Sequence, residues 1–205
     1  MDELLLKTPS ADLLSRATAE LRSPLLDLVC QGAYQEGDFV LTSGQRSTYY
    51  INGKLATLHP QGALMVGRLL LDLLPPETVA VAGLTLGADP LVTAVSLVGV
   101  YEGQTLFPLI IRKEAKGHGT RAYIEGLTLP PGSAVTVLED VVTTGQSALK
   151  AVERLQQAGY TVNQILALVD REEGGAELYQ SHNLPFKALF TIQTIQAHWA
   201  TLNPA

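Results

Sequence analysis

Residues 134–147 read AVTVLEDVVTTGQS. The first five, Ala134 to Leu138, are apolar or β-branched without alternation, the pattern of a parallel strand buried on both faces. Two carboxylates, Glu139 and Asp140, stand at the C-terminal end of that strand, and Thr143, Thr144, Gly145, Gln146 and Ser147 form a hydroxyl-rich turn after it. The following SALKAVERLQQAG has helical spacing and a stop at Gly159. Strand, acidic pair, turn and helix together make a seat for a phosphorylated sugar. N–H groups at a helix N-terminus hold a phosphate, and the carboxylates accept from vicinal hydroxyls or bind hydrated Mg²⁺. The plainer alternative is a strand end with a solvated acidic pair.

Outward from this stretch, strands alternate with helices. Residues 10–32 have a workable apolar stripe for a helix capped by Ser10, with a break or restart expected at Pro24. Residues 37–52 read as two short strands about a Ser-Gly turn. Helices are expected at 60–74 and at 89–103, the second with Asp89 as N-cap and Pro90 at its first position. Short apolar strands are expected at 79–84, 106–114, 134–138 and 164–170, and a last one at 186–195. This order predicts an α/β fold, an open parallel sheet flanked by helices, with residues 1–55 as an N-terminal helix and hood on a single domain spanning 1–205. Ligands of such sheets bind beyond the C-terminal strand ends. The residues following the strands there are polar or glycine-rich: Thr85 to Asp89, Arg112 to Gly119, the acidic pair and turn, and Asp170 to Gly175.

Composition narrows the function. With 205 residues and 46% hydrophobic content the chain can build a full core, and a net charge of −6 argues against a nucleic-acid surface. Its single cysteine, Cys30, excludes an internal disulfide and a cysteine-rich zinc site, and fits a reducing cytoplasm. No run approaches the ~18 apolar residues of a membrane span, and the N-terminal MDELLLKTPSADLL does not read as a signal peptide. His59, His182 and His198 are isolated and read as structural or surface residues, and Trp199 as a packing anchor.

Against this acidic background, Arg112, Lys113, Lys116, His118 and Arg121 crowd into ten residues of a chain with only 14 Lys plus Arg. Gly117 and Gly119 give the segment freedom. A basic loop of this kind suits negative charge developing on an anionic leaving group, and its plainer alternative is a solvated surface loop.

The strand, acidic pair and Thr-Thr-Gly turn resemble the 5-phosphoribosyl-1-pyrophosphate (PRPP) signature of type I phosphoribosyltransferases. Together with RKEAKGHG (112–119) and GDFVLTSGQRSTYYINGK (37–54), they resemble the orotate phosphoribosyltransferases over about residues 30–175. The resemblance implies a reaction of PRPP with orotate, dependent on Mg²⁺, giving orotidine 5′-monophosphate and pyrophosphate. It also implies a homodimer sharing the basic loop between subunits. By position, Glu139 and Asp140 match the residues that hold the ribose hydroxyls, with Asp140 reaching Mg²⁺ through water while PRPP carries the ion. Thr143, Thr144, Gly145, Gln146 and Ser147 match the 5′-phosphate loop. Arg112, Lys113, Lys116 and His118 match the pyrophosphate loop, Lys116 and His118 being its catalytic members with Asp140. Arg171 matches the arginine that binds the orotate carboxylate, and Thr143 is a second orotate contact. The residue chemistry supports the role of Arg171 separately: a guanidinium at a buried strand end suits a carboxylate, whereas a salt bridge with Asp170 or Glu172 would be its structural use.

Two departures from the family pattern stand out. Thr42 occupies the hood position where many members carry lysine, which leaves Arg46 or Lys54 to compensate. TLGADP (85–90) lacks the lysine some members carry, leaving the N–H groups of Thr85, Leu86 and Gly87 as an anion nest. Tyr49 and Tyr50 are read as an aromatic wall for the base. Two competing readings are a phosphoribosyltransferase for another base and a PRPP-binding regulator without chemistry.

Overall fold

A computed structural model describes residues 10–40, 46–115 and 123–204. The chain starts with α1 (Ser10–Ser15), a 3₁₀ turn (Thr18–Leu21) and α2 (Arg22–Leu28), which runs on as a π-helical turn, Val29–Ala33. Pro24 marks a restart of the helix, α2 beginning at Arg22. It sits in the first turn of α2, where a backbone N–H has no intrahelical acceptor to lose. An antiparallel pair follows, β1 (Tyr34–Val40) with β2 (Arg46–Ile51), its register slipping between Glu36 and Phe39. A short α3 (Lys54–Thr57) leads to α4 (Pro60–Leu71).

The remaining elements are β3 (Ala80–Leu84), α5 (Asp89–Tyr101), β4 (Phe107–Ile111), β5 (Ile124–Glu125), β6 (Ala134–Val142), α6 (Gln146–Gln157), β7 (Thr161–Asp170), α7 (Gly175–Ser181), β8 (Phe186–Thr191) and α8 (Ile192–Leu202). Six strands make one sheet in the order β5-β4-β3-β6-β7-β8, all parallel except β5, which pairs antiparallel with β4. The order turns at β3 and β6, the first pair with crossovers leading in opposite directions, and a crevice opens there beyond the strand ends.

The two sheet faces are buried separately, as strand alternation requires. Val81, Leu138, Leu166 and Leu168 pack against α4 and α5 through Leu70, Val92 and Val95. Val135, Val137, Ile165 and Ala167 pack against Ala151, Val152 and Leu155 of α6 and Tyr179 of α7. Each fully buried Leu, Ile or Val contributes about 1.5–3 kcal/mol, so the near-continuous apolar strands are what hold both helical layers down.

The starts of the last helix and of α5 differ from the sequence reading. The strand expected over 186–195 ends at Thr191, whose side chain accepts from the Thr194 N–H at 3.2 Å and starts α8. The β-branched run LFTIQTI conceals that cap. At α5 the N-cap is Ala88 rather than Asp89, because the Asp89 carboxylate is taken by the Thr85 hydroxyl at 2.6 Å.

Candidate active site

β6 runs four residues beyond its expected end, because β7 pairs it as far as Val142↔Asp170. The acidic pair therefore lies inside the strand and is buried, Glu139 at 6% and Asp140 at 8% exposure. Adjacent strand residues point to opposite faces, and the two carboxylates divide the site between them. Glu139 lines a cavity of about 80 Å³ with Val141 to Ser147 and Tyr179. Asp140 faces α3 and the loop after β3.

The cavity on the Glu139 side has the form of an anion seat. Gly145 is the N-cap of α6 with φ +81°, and a Cβ there would also meet the Tyr179 ring at 3.0 Å. Only glycine suits that turn. Thr143, Thr144, Gly145, Gln146 and Ser147 all line the cavity at the positive end of α6. Among the described residues, Glu139 Oε2 and the Tyr179 hydroxyl are buried without a hydrogen-bond partner. Burial, and then the Asp140 charge, pushes the Glu139 carboxyl up from 4.5 to about 8, while Lys113 pulls it the other way. Burial and the nearby Glu139 and Asp170 also push the Tyr179 phenol up, keeping it a donor.

On the opposite face, Asp140 sits against main chain. A Cβ on Gly87 would come within 2.5 Å of Asp140 Oδ1, so the loop after β3 passes directly over the carboxylate. Lys54 reaches the same group from the start of α3, with Nζ 3.8 Å from Oδ2. Lys54 is thus the cation brought to the acidic pair from outside the basic segment, whereas Arg46 is exposed on β2. The anion nest expected at Thr85–Gly87 is incomplete, since the Thr85 N–H already donates to the Ile111 carbonyl at 2.9 Å.

Arg171, just past the end of β7, meets the hood. Its Nε–H donates to the Tyr49 hydroxyl at 3.0 Å, its guanidinium lies 4.9 Å from the Tyr49 ring centre, and Glu173 approaches at 2.7 Å. The Tyr49 hydroxyl donates in turn to Glu173 Oε1 at 3.1 Å. The ion pair is therefore with Glu173, not with Asp170 or Glu172. Asp170 instead accepts from the Glu172 N–H at 2.8 Å. Tyr49 contributes its hydroxyl as well as its ring, and Tyr50 is exposed and packs on Phe39.

At the end of β4, Arg112 pairs with Glu125 at 2.9 Å, and Lys113 is exposed on the side of Glu139. Lys116, His118, Arg121 and Thr42 lie outside the described residues. Among the described residues no three His, Cys, Asp or Glu side chains gather into a metal-binding group. His59 caps α4, His182 bonds the Leu178 carbonyl at 2.8 Å, and His198 pairs with Asp27 at 2.6 Å, all structural uses. Tyr179 and Arg154 carry no signal in the sequence that marks them for the site, and Glu173 stands there only as part of the polar stretch Asp170 to Gly175.

No family model matches the chain. Among individual proteins, the orotate phosphoribosyltransferase of Nostoc sp. is 66% identical over 189 residues, 91% of this chain and 92% of that one. A crystal structure of Mycobacterium tuberculosis orotate phosphoribosyltransferase superposes with a TM-score of 0.77 at 35% identity, covering 85% of this chain and 98% of the other. A second crystal structure of that enzyme, in complex with PRPP, superposes with a TM-score of 0.73 at 32% identity, over 86% of this chain and 99% of the other. Sequence identity carried across 91% of its length, with the same fold beneath it, makes this chain a member of the orotate phosphoribosyltransferase family.

Proposed function

We propose that the protein transfers the 5-phosphoribosyl group of PRPP to orotate, giving orotidine 5′-monophosphate and pyrophosphate in UMP synthesis. The observation that carries this reading is the sharing of one sheet edge by three features. These are the phosphate turn on α6, the acidic pair with its unpartnered Glu139 oxygen, and Arg171 against the hood tyrosine. They suit, in order, the 5′-phosphate, the ribose hydroxyls and the orotate carboxylate.

In the proposed step a ring nitrogen of orotate attacks the anomeric carbon. The bond from that carbon to the pyrophosphate oxygen breaks, and pyrophosphate leaves with the electron pair. Orotate is already an anion, so positioning and neutralisation of the leaving charge do most of the catalytic work. Thr143 to Ser147 hold the 5′-phosphate, Glu139 and Asp140 orient the ribose, and Arg112, Lys113, Lys116 and His118 receive the pyrophosphate. The donor chemistry beside the ribose position, hard carboxylate oxygens in a pair too small for a protein-built cage, fits a Mg²⁺ ion carried in on the substrate. Asp140 would hold it through water, and when bound it supplies neutralisation of phosphate charge. A homodimer in which the basic segment serves the neighbouring site completes the reading. The cytoplasm suits the buried free thiol of Cys30, and no helix among the described residues is long and apolar enough to cross a membrane.

The test is loss of orotate absorbance on mixing protein, PRPP and Mg²⁺. Loss that needs all three is the expected result. Orotate left intact while a purine or uracil is consumed would reassign the base, and PRPP binding without any turnover would make the protein a regulator. Within the active enzyme, Lys116→Ala is expected to lower kcat about 10²-fold or more while the orotate KM stays within about twofold. Equal small changes in both would remove Lys116 from the leaving-group role.

A further inference from the structure

Arg154 is a buried arginine on α6, 8% exposed, in a helix whose other buried positions are small or aliphatic. Burying a guanidinium costs several kcal/mol unless its donors are satisfied, and an apolar residue would fill such a seat more cheaply. Its contacts lie outside its own helix, at the end of β4 and the start of β5. One terminal nitrogen donates to the Arg112 carbonyl, and the other donates to the Lys113 carbonyl at 2.9 Å. The guanidinium plane covers the Tyr123 ring at 4.0 Å. Tyr123 is itself tied back, because its carbonyl accepts from the Arg112 N–H at 2.8 Å. One side chain thus holds both the strand end that presents Arg112 and Lys113 and the residue from which the chain returns as β5.

The same helix begins at the phosphate turn. From Gln146 to Arg154 is two turns, about 12 Å at the helical rise. A rigid element therefore carries an anion seat at one end and, further along, a tether on the two cations at the other side of the crevice. Resting on the proposed function, we infer that Arg154 is a positioning residue that sets the distance between the 5′-phosphate seat and the pyrophosphate-binding end of β4. The helix then acts as a gauge for PRPP, gripping one substrate at both of its charged ends. The specificity that follows is for two anionic groups at a defined separation rather than for either group alone.

The experiment compares Arg154→Met and Arg154→Lys with the wild type in three readouts: thermal melting, the PRPP and orotate KM values with kcat, and calorimetric affinities for inorganic pyrophosphate and for ribose 5-phosphate. Hydrogen bonds from a charged donor are worth enough that losing two should raise the PRPP KM and the pyrophosphate Kd about tenfold or more in Arg154→Met. The orotate KM and the ribose 5-phosphate Kd should stay within about twofold, and Arg154→Lys, which keeps the charge but only one donor nitrogen in place of the two-pronged fork, should recover part of the loss. If Arg154→Met does not fold, Arg154→Lys decides through the same split between pyrophosphate and ribose 5-phosphate. Equal weakening of both ligands, or no change in a folded variant, overturns the gauge. The calorimetric readouts need no base, so a wild type inactive on orotate would overturn the proposed function while leaving the split measurable.

Discussion

Arg171→Ala is expected to raise the orotate concentration at half-saturation about a hundredfold, with the PRPP KM nearly unchanged. A bidentate guanidinium–carboxylate pair in a site of this burial is worth roughly 2–3 kcal/mol, which is a factor of about 30 to 150. The arginine side chain is only 10% exposed, so water cannot replace it well. Part of the effect is indirect, since Arg171 also donates to Tyr49 and pairs with Glu173. Tyr49→Phe isolates that support. It removes the hydroxyl link and leaves the guanidinium, and should raise the orotate KM only about two- to fivefold. Initial rates against orotate at saturating PRPP measure both. An unchanged orotate KM in Arg171→Ala would take this residue out of carboxylate recognition and leave it a hood anchor.

Glu139→Gln should separate function from stability in opposite directions. In the proposed reaction its carboxyl oxygens meet the substrate's hydroxyls, and kcat/KM for PRPP is expected to fall about 10²-fold or more when one of them becomes an NH₂ group that can only donate. The same substitution should stabilise the fold at alkaline pH. In the folded protein the Glu139 carboxyl titrates up to about 8, against an ordinary 4.5, chiefly through burial and then Asp140. Between those values the folded state holds a proton that the unfolded state has released, so stability is lost as pH rises through that window. Glutamine has no such proton. Its advantage should be absent below pH 4.5 and grow by up to about 1.4 kcal/mol per pH unit, roughly 3–5 °C in Tm for a chain of this size, before levelling off near pH 8. Melting curves across that range read it directly, and parallel wild-type and variant profiles would show that Glu139 is not held protonated by its surroundings.

Much of this fold, and part of its site, is legible in the residues alone. The parallel sheet, the two helical layers and the turn from Thr143 to Ser147 follow from local signals: unbroken apolar strands, a stop glycine and a glycine at the start of a helix. The reach of β6 does not, because a strand ends where its neighbour stops pairing, and the partner that sets its end, Asp170 opposite Val142, lies in a different strand. Glu139 and Asp140 were visible as a pair, yet their division between two faces depends on that extension. Arg154 looks like any charge on an amphipathic helix until the strand end it holds is placed beside it. Glu173 and the Tyr49 hydroxyl are joined across 124 residues, a separation that no local pattern encodes. The missing lysines were legible as departures, and the fold supplies Lys54 at the acidic pair from a helix start that sequence spacing left undescribed.

The hood is a two-stranded sheet, an element too small to be stable alone, and its attachment is aromatic. Trp199 of α8 meets Tyr34 edge-on at 5.5 Å, Tyr34 stacks on Tyr49 at 5.9 Å, and Tyr49 covers Arg171. The helix α8 is therefore the foundation of the end of the crevice where Arg171 stands, the one proposed to take the base. Amide hydrogen exchange should show β1 and β2 opening with α8 as one unit, ahead of the central strands. Fusions or truncations that unseat Trp199 would then slow an enzyme whose catalytic residues are all intact, a fault that a survey of the crevice alone would never trace.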